Sequence, residues 1–167
     1  VFRLETPLGT LVMDRRSPLY GLIFQLGGKV APIVLISKLL VFPLLLTATY
    51  YAYRIGELAR GRRVALALAL AFIVINLASN TMSSTIGGLQ RSFTAPLCLA
   101  LIYYLMRKMD WRAALVIAIS GLIYAPVFVI GVLMYGLDLV ERKEGRWTVA
   151  WRRLLPLSLA IAVVTLF

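Results

Sequence analysis

Long apolar runs alternate with short basic segments along this chain. Three of the runs contain no charged residue: residues 64–75, 94–106 and 113–137. Three connecting segments hold most of the Arg and Lys: residues 54–63, 107–112 and 138–153. Apolar stretches near bilayer length, separated by basic connectors, are typical of multi-pass helical membrane proteins. Because the runs lack the two-residue alternation of barrel strands, the pattern predicts an all-α polytopic transmembrane helix bundle without a sheet.

The bundle is predicted to contain short and broken helices. Residues 17–28 begin with Ser-Pro and end in a Gly pair, and at ~1.5 Å per residue they cover roughly 18 Å, well short of a ~30 Å bilayer core. This segment is therefore expected to be a re-entrant, surface-lying or protein-buried helix. Residues 32–54 predict a full span that Pro43 interrupts and tyrosines end. An alanine-rich span follows at residues 64–80, and residues 92–106 return across the membrane.

The run at residues 113–137 allows two topologies. A single helix kinked by Pro126 would place residues 138–153 on the side opposite the other basic connectors. A turn near residues 124–126 would instead put all three basic connectors on the cytoplasmic face, as the positive-inside rule requires. Gly121 and Gly131 would permit the close packing that such a hairpin needs. We favour the hairpin, with residues 76–91 and 124–126 near the outer face.

Residues 138–153 are predicted to be a basic interfacial segment. Trp147 and Trp151 are four residues apart, beside several arginines, which favours a helix lying on the membrane surface. The alternative is an ordinary basic loop with Trp anchors.

The two ends suggest that more chain belongs to this protein. It opens at Val1 without an initiator Met and stops at Phe167 inside an apolar run. We expect residues 1–167 to be a single transmembrane helical region of a longer membrane protein, with residues 1–16 as an outer-face loop segment.

Composition supports a membrane protein and excludes several function classes. With 61% hydrophobic residues and a mean hydropathy of +0.89, a water-soluble fold is excluded. The net charge of +11 fits basic connectors at an anionic cytoplasmic leaflet, so no nucleic-acid partner is expected. There is no His, and the single Cys98 cannot form an internal disulfide; no cofactor or metal site is indicated. The predicted location is a bacterial inner (plasma) membrane, with the lipid bilayer as principal partner.

Candidate binding residues lie near the polar segment at residues 76–91. Arg91 is its only charge, and an Arg fork suits a phosphate or pyrophosphate; the alternative is an Arg that extends to lipid headgroups. Ser84 and Gln90 are supporting hydrogen-bond donors. Lys38 lies inside a span, where ionisable residues are functional by default, although it too could reach the interface.

Carboxylates are few. Five of the seven Asp and Glu lie in basic connectors, where solvated ion pairs explain them. Of the outer-face acids, Glu5 and Asp14, a plain surface role is the alternative to chemistry for each.

Several short motifs occur in order between residues 17 and 139. They are Ser17-Pro-Leu-Tyr20 at a helix start, the span with Lys38, the Gly61-Arg-Arg63 turn, Arg91-Ser-Phe-Thr-Ala-Pro-Leu97 and the break at Tyr124-Ala-Pro126. This succession resembles that of the GT-C glycosyltransferases, polytopic enzymes that use polyprenyl-phosphate sugars and include protein mannosyltransferase and aminoarabinose transferase relatives. The resemblance implies a catalytic carboxylate in the first external loop, for which Asp14 is the candidate. It also implies basic groups at the lipid phosphate, for which Arg91 and Lys38 are the candidates.

Two functions therefore stand side by side. One is the membrane core of a GT-C-like glycosyltransferase that moves a sugar from a polyprenyl-phosphate carrier to an acceptor at the outer membrane face. The other is a non-catalytic structural subunit that packs against other membrane subunits in a larger complex. A transporter is a third possibility, suggested by the Pro43 and Pro126 breaks, although no acid lies within a span to couple an ion.

Overall fold

The computed structural model describes residues 18–78, 90–143 and 146–166. Seven α-helices lie in these ranges: α1 (Pro18–Gly28), α2 (Ile33–Arg60), α3 (Arg62–Ala78), α4 (Thr94–Met106), α5 (Asp110–Ile123), α6 (Ala125–Leu139) and α7 (Leu154–Thr165). Two 3-10 turns, Gln90–Phe93 and Trp151–Arg153, lead into α4 and α7. The predicted helical character of the apolar runs is confirmed, and so is the short first helix.

Within the described ranges, the chain departs from helix in one β-hairpin. Strands β1 (Val140–Lys143) and β2 (Arg146–Val149) pair antiparallel, with Lys143 opposite Arg146. The predictions of no sheet and of a surface helix over residues 138–153 are therefore wrong. Only two residues connect the strands, which suits a tight hairpin, and the strands carry Val, Thr and Trp, which favour β-structure.

Helix length gives limited support to a multi-pass arrangement. Within the described ranges, one helix is long and apolar enough to cross a membrane: Val34–Arg60, of 27 residues. Shorter apolar helices accompany it: Arg91–Met106, Ala125–Leu139 and Leu154–Thr165.

The long helix α2 continues through Pro43. It packs antiparallel to α3 and parallel to α4. Gly61, at φ 86°, turns the chain into α3, which runs back along α2. Helix α4 then runs in the same direction as α2. The hydroxyl oxygens of Tyr51 on α2 and Tyr104 on α4 lie 2.9 Å apart, and the 3-10 turn at the other end of α4 also contacts α2.

The predicted turn at residues 124–126 is confirmed. Tyr124 is extended, at φ −153° and ψ 98°, and separates α5 from α6, which fold against each other. A Cβ atom added to Gly131 on α6 would lie 3.2 Å from the Ile117 side chain on α5. At Gly121 the added atom would lie 2.5 Å from Val164 on α7. The absence of side chains at these glycines allows the helices to approach closely, as expected.

Because successive helices run in opposite directions, the basic connectors come together at one end of the bundle. The turns at residues 60–63 and 107–109 and the described parts of residues 138–153 lie at one end of the bundle, which we call the basic end. Arg153 joins the last two directly, because it bonds to Asp110 and Asp138. Arg54 reaches Tyr103 near the same end. The turn Gln90–Phe93 and Tyr124 lie at the opposite end. The described parts of the connectors therefore group as predicted, whereas residues 79–89 are outside the described ranges and their placement stays a prediction.

The buried core lies between α4, α5, α6 and α7. Its fully enclosed side chains include Ile117 and Tyr135, at 1% and 0% exposure. In contrast, large apolar side chains on the outer surfaces are open, with Phe42 70% and Leu137 75% exposed. Extensive exposed apolar surface indicates contact with lipid or with other protein.

Candidate functional site

Arg91 lies at the opposite end, on a firmly held turn. It is exposed, whereas the next two residues, Ser92 and Phe93, are only 4% and 7% exposed. The Phe93 ring makes an edge contact with Tyr20 on α1, with ring centroids 6.5 Å apart. The 3-10 turn is thus anchored to α1 by its buried side and presents the Arg91 guanidinium outward.

Lys38 lies in the first half of α2 and is exposed. Because α2 and α4 run in the same direction and the 3-10 turn before α4 contacts α2, this half of α2 is at the end where Arg91 lies. Neither Lys38 nor Arg91 has a hydrogen bond or ion pair with another described residue. Lys38 and Arg91 therefore lie at the same end of the bundle without ion-pair partners among the described residues, but they do not contact each other.

The other predicted site residues are described incompletely or not at all. Gln90 begins the 3-10 turn, but its side chain is outside the described part. Ser84 and Asp14 fall in residues 79–89 and 1–17, which are also outside it. Their roles stay predictions.

The most highly organised polar group is an ion cluster at the basic end. The Arg153 Nη2 atom lies 2.6 Å from Asp110 Oδ1 and 2.6 Å from Asp138 Oδ2. Arg153 also donates through Nη1 to the Asp138 carbonyl at 3.2 Å, and Lys108 Nζ lies 2.8 Å from Asp138. The arginine side chain is only 14% exposed. The hydrogen bond to Asp110 raises the pKa of Arg153 above its ordinary value, against the opposing effect of burial, so the guanidinium stays charged.

Tyr135 closes this cluster from the core side. Its ring is fully buried, its hydroxyl donates to the Arg153 carbonyl at 3.0 Å, and the Arg153 guanidinium lies 5.9 Å from the ring centroid. Asp110 also begins α5, where the positive end of the helix dipole favours a carboxylate. The cluster thus fastens α5, α6 and the turn before α7 together. Asp110 and Asp138 are ion-paired, as expected, but their side chains are only 23% and 27% exposed, so these pairs are partly buried.

A second group joins α2 to α4 through tyrosines. Besides the Tyr51–Tyr104 hydroxyl contact, Arg54 Nη2 donates to the Tyr103 hydroxyl at 3.3 Å and Arg54 Nη1 lies 2.6 Å from Glu57. Tyr103 is only 7% exposed. The rings of Tyr51, Tyr103 and Tyr104 contact one another and connect the two helices.

The chemistry of the two ends therefore differs. The acids described at the basic end, Glu57, Asp110 and Asp138, are paired with arginine or lysine. At the opposite end, the described cations are exposed and suited to an anion. Among the described residues, no three His, Cys, Asp or Glu side chains are grouped as a metal site would require.

No known protein family, curated protein or solved structure matches this chain.

The Tyr135 hydrogen bond can be tested by removing one oxygen. Tyr135→Phe should lower the free energy of unfolding by about 1 kcal/mol, because the ring still fills the core but the Arg153 carbonyl loses its donor. Tyr50→Phe is the matched control, since Tyr50 is 53% exposed and makes only a ring contact. Thermal unfolding in detergent would measure both. Equal stability of the two variants would contradict a structural role for the Tyr135 hydroxyl.

Proposed function

We propose that the chain is the membrane core of a GT-C-like glycosyltransferase that moves a sugar from a polyprenyl-phosphate carrier to an acceptor at the outer face. The observation that supports this most is the unequal distribution of charge between the two ends. Basic connectors gather at one end, where the partly buried Arg153 pairs with Asp110 and Asp138, and the exposed Arg91 and Lys38 lie at the other. An exposed pair of cations at the non-cytoplasmic end suits a lipid-linked phosphate.

The proposed membrane placement is polytopic. Helix α2 crosses the bilayer, with the basic end toward the cytoplasm by the positive-inside rule. Helices α5 and α6 form a hairpin that is too short to cross twice in isolation but is packed between α4 and α7. Non-helical backbone such as the Tyr124 break is tolerated at membrane depth where protein covers it. The exposed apolar side chains of α2 and α6 would then face lipid.

In this proposal, Arg91 binds the phosphate of the donor and Lys38 adds a second positive charge. A carboxylate, with Asp14 as the candidate, removes the proton of the acceptor hydroxyl as its oxygen attacks the anomeric carbon. The bond between that carbon and the phosphate oxygen breaks, and the polyprenyl phosphate leaves with its electrons. Arg91 stabilises the negative charge that develops on this leaving group, and Gln90 and Ser84 supply further donors.

The experiment is a binding measurement on the full-length protein in lipid nanodiscs, with a polyprenyl-phosphate sugar as probe. Arg91→Ala should weaken binding at least about tenfold, the size of one charge-assisted contact to phosphate. Arg107→Ala removes an equally exposed arginine at the basic end and should leave binding unchanged. Similar small effects of both substitutions would contradict the proposed role of Arg91.

A structural subunit is the second candidate. The observation that favours it is an apolar stripe along the outside of α6, where Val129, Leu133 and Leu137 are 55%, 62% and 75% exposed. Residues four apart lie on one helix face and could pack against a helix of another subunit. Loss of a co-purifying membrane partner on Leu133→Arg, together with no effect of Arg91→Ala on phosphate binding, would favour this function over the enzyme.

A further inference from the structure

An apolar groove runs along the outside of the α2–α3 pair. It has a volume of about 580 Å³. Its walls include Phe42, Leu46, Tyr50 and Tyr53 from α2 and Ala69 and Ile73 from α3. The groove is open to the surroundings, since Phe42 and Leu46 are 70% and 73% exposed.

The shape of the groove suits one extended chain. From Phe42 to Tyr53 the lining follows α2 for roughly 16 Å at ~1.5 Å per residue. Ala69 is a small residue and leaves space between the two helices. Closer to the basic end the space closes, because Gly56 lets the α2 backbone approach Ala65 on α3. The groove is therefore long, narrow and almost wholly apolar.

Two arginines extend the same faces toward the basic end. Arg60 is seven residues after Tyr53 on α2, and Arg62 is seven residues before Ala69 on α3. Seven residues make nearly two helical turns, so each arginine lies on the groove side of its helix. Both arginines are exposed, and neither has a hydrogen bond or ion pair with a described residue.

The charges on this surface favour an anion. Glu57 also lies near the groove side of α2, but its carboxylate forms an ion pair with Arg54 at 2.6 Å, which compensates its negative charge. Arg60, Arg62 and the neighbouring Arg63 then leave an excess of positive charge beyond the end of the groove. An apolar chain and an anionic group on the same molecule would match the groove and its end together.

We propose that this groove holds one acyl chain of an anionic phospholipid, with the headgroup phosphate bound by Arg60 and Arg62. Arginine is suited to this, because its planar fork binds phosphate oxygens in pairs. The basic end is also where an anionic cytoplasmic leaflet would lie. The site requires only that the protein is embedded in a membrane, and it is independent of sugar transfer at the opposite end.

The test uses the full-length protein and native mass spectrometry with phosphatidylglycerol or phosphatidylcholine added in detergent. Wild type should bind phosphatidylglycerol about tenfold more tightly than phosphatidylcholine. The double variant Arg60→Gln/Arg62→Gln should lose this preference. Arg63→Gln/Arg107→Gln removes the same number of charges at the same end, but Arg63 is turned ~100° away from Arg62 on the helix, so the preference should persist.

The groove itself is tested with a bulky side chain. Ile73→Trp fills the groove and should weaken binding of both lipids, whereas Leu70→Trp, at an exposed position outside the lining, should not. Equal losses from the two double arginine variants would overturn the proposal in favour of general attraction to negative charge. Unchanged lipid binding in Ile73→Trp would also overturn it, as would a protein partner that occupies the groove in place of lipid.

The outcome is separable from that of the proposed function. Arg91→Ala should leave phosphatidylglycerol binding unchanged, because Arg91 is at the opposite end. Absence of the wild-type protein from the membrane fraction would remove the membrane placement on which both proposals rest, whereas a loss of donor binding alone would leave the phospholipid site standing.

Discussion

Arg153→Met is expected to destabilise the protein by about 2 to 4 kcal/mol, the largest effect of any substitution at the basic end. The change leaves Asp110 and Asp138 partly buried without the guanidinium that lies 2.6 Å from each. Breaking a buried ion pair by removing one partner costs about 3 to 5 kcal/mol, and the partial exposure of these groups reduces that range. Met keeps much of the side-chain volume, so the loss reflects charge more than packing. Chemical or thermal unfolding in detergent would measure it.

The defect should depend on pH. In the wild type, burial raises the pKa of Asp138, but the hydrogen bonds from Lys108 and Arg153 outweigh burial and lower that pKa below its ordinary value. The stabilisation that Asp138 receives from Arg153 is therefore lost as the pH falls and the carboxylate is protonated. The defect is therefore greatest at neutral pH and shrinks as the pH falls through the carboxylate range. Arg153→Met combined with Asp110→Asn should likewise recover part of the loss. Arg107→Met, at an exposed position at the same end, is the control. If the loss of stability in Arg153→Met changes neither with pH nor with the second substitution, packing and not charge explains it.

The sequence predicted the hairpin of α5 and α6 because two independent signals agreed. Positive-inside counting required a turn within the apolar run, and Pro126 with its neighbours supplied a residue suited to a helix start. Gly121 and Gly131 marked the positions where helices come close, and the structure shows the contacts with Val164 and Ile117. Such features are local in sequence or follow from charge totals, so the sequence alone can predict them.

The ion cluster could not be predicted in the same way. Arg153 contacts Asp110 across 43 residues and Asp138 across 15, and its neighbours in sequence are equally basic. Nothing in the composition of residues 138–153 distinguishes the one arginine that turns inward. The β-hairpin was missed for a related reason, since its strands are stabilised by pairing with each other and not by an apolar face.

The candidate binding residues were chosen by charge and position alone. The structure places Arg91 on an anchored turn and Lys38 in the same half of the bundle, which agrees with a shared end but not with a shared contact. Asp14 and Ser84 lie in residues 1–17 and 79–89, outside the described ranges. The pattern of charges along the sequence can therefore predict at which end of the bundle a residue lies. The geometry of a site depends on side chains from segments that are distant in sequence.

Gly56→Ala should separate α2 from α3 and lower the free energy of unfolding by about 1 to 3 kcal/mol. A Cβ atom at this position would lie 2.6 Å from the Ala65 Cα atom and 3.0 Å from its backbone nitrogen. Because the obstacle is backbone, no side-chain rotation can relieve it, and overpacking of this kind carries such a cost. Ala65 has 0% exposure, so the contact has no free side toward which it could move.

A helical glycine with open surroundings gives the control for this prediction. Gly136 on α6 has no atom within 4 Å of an added Cβ, so Gly136→Ala should be neutral or stabilising by up to about 1 kcal/mol, through the higher helix propensity of alanine. The two substitutions make the same chemical change in helices and should shift stability in opposite directions. If Gly56→Ala also proves neutral or stabilising, the close contact of α2 and α3 is not a determinant of stability. The groove that opens beyond that contact would then need another explanation for its shape.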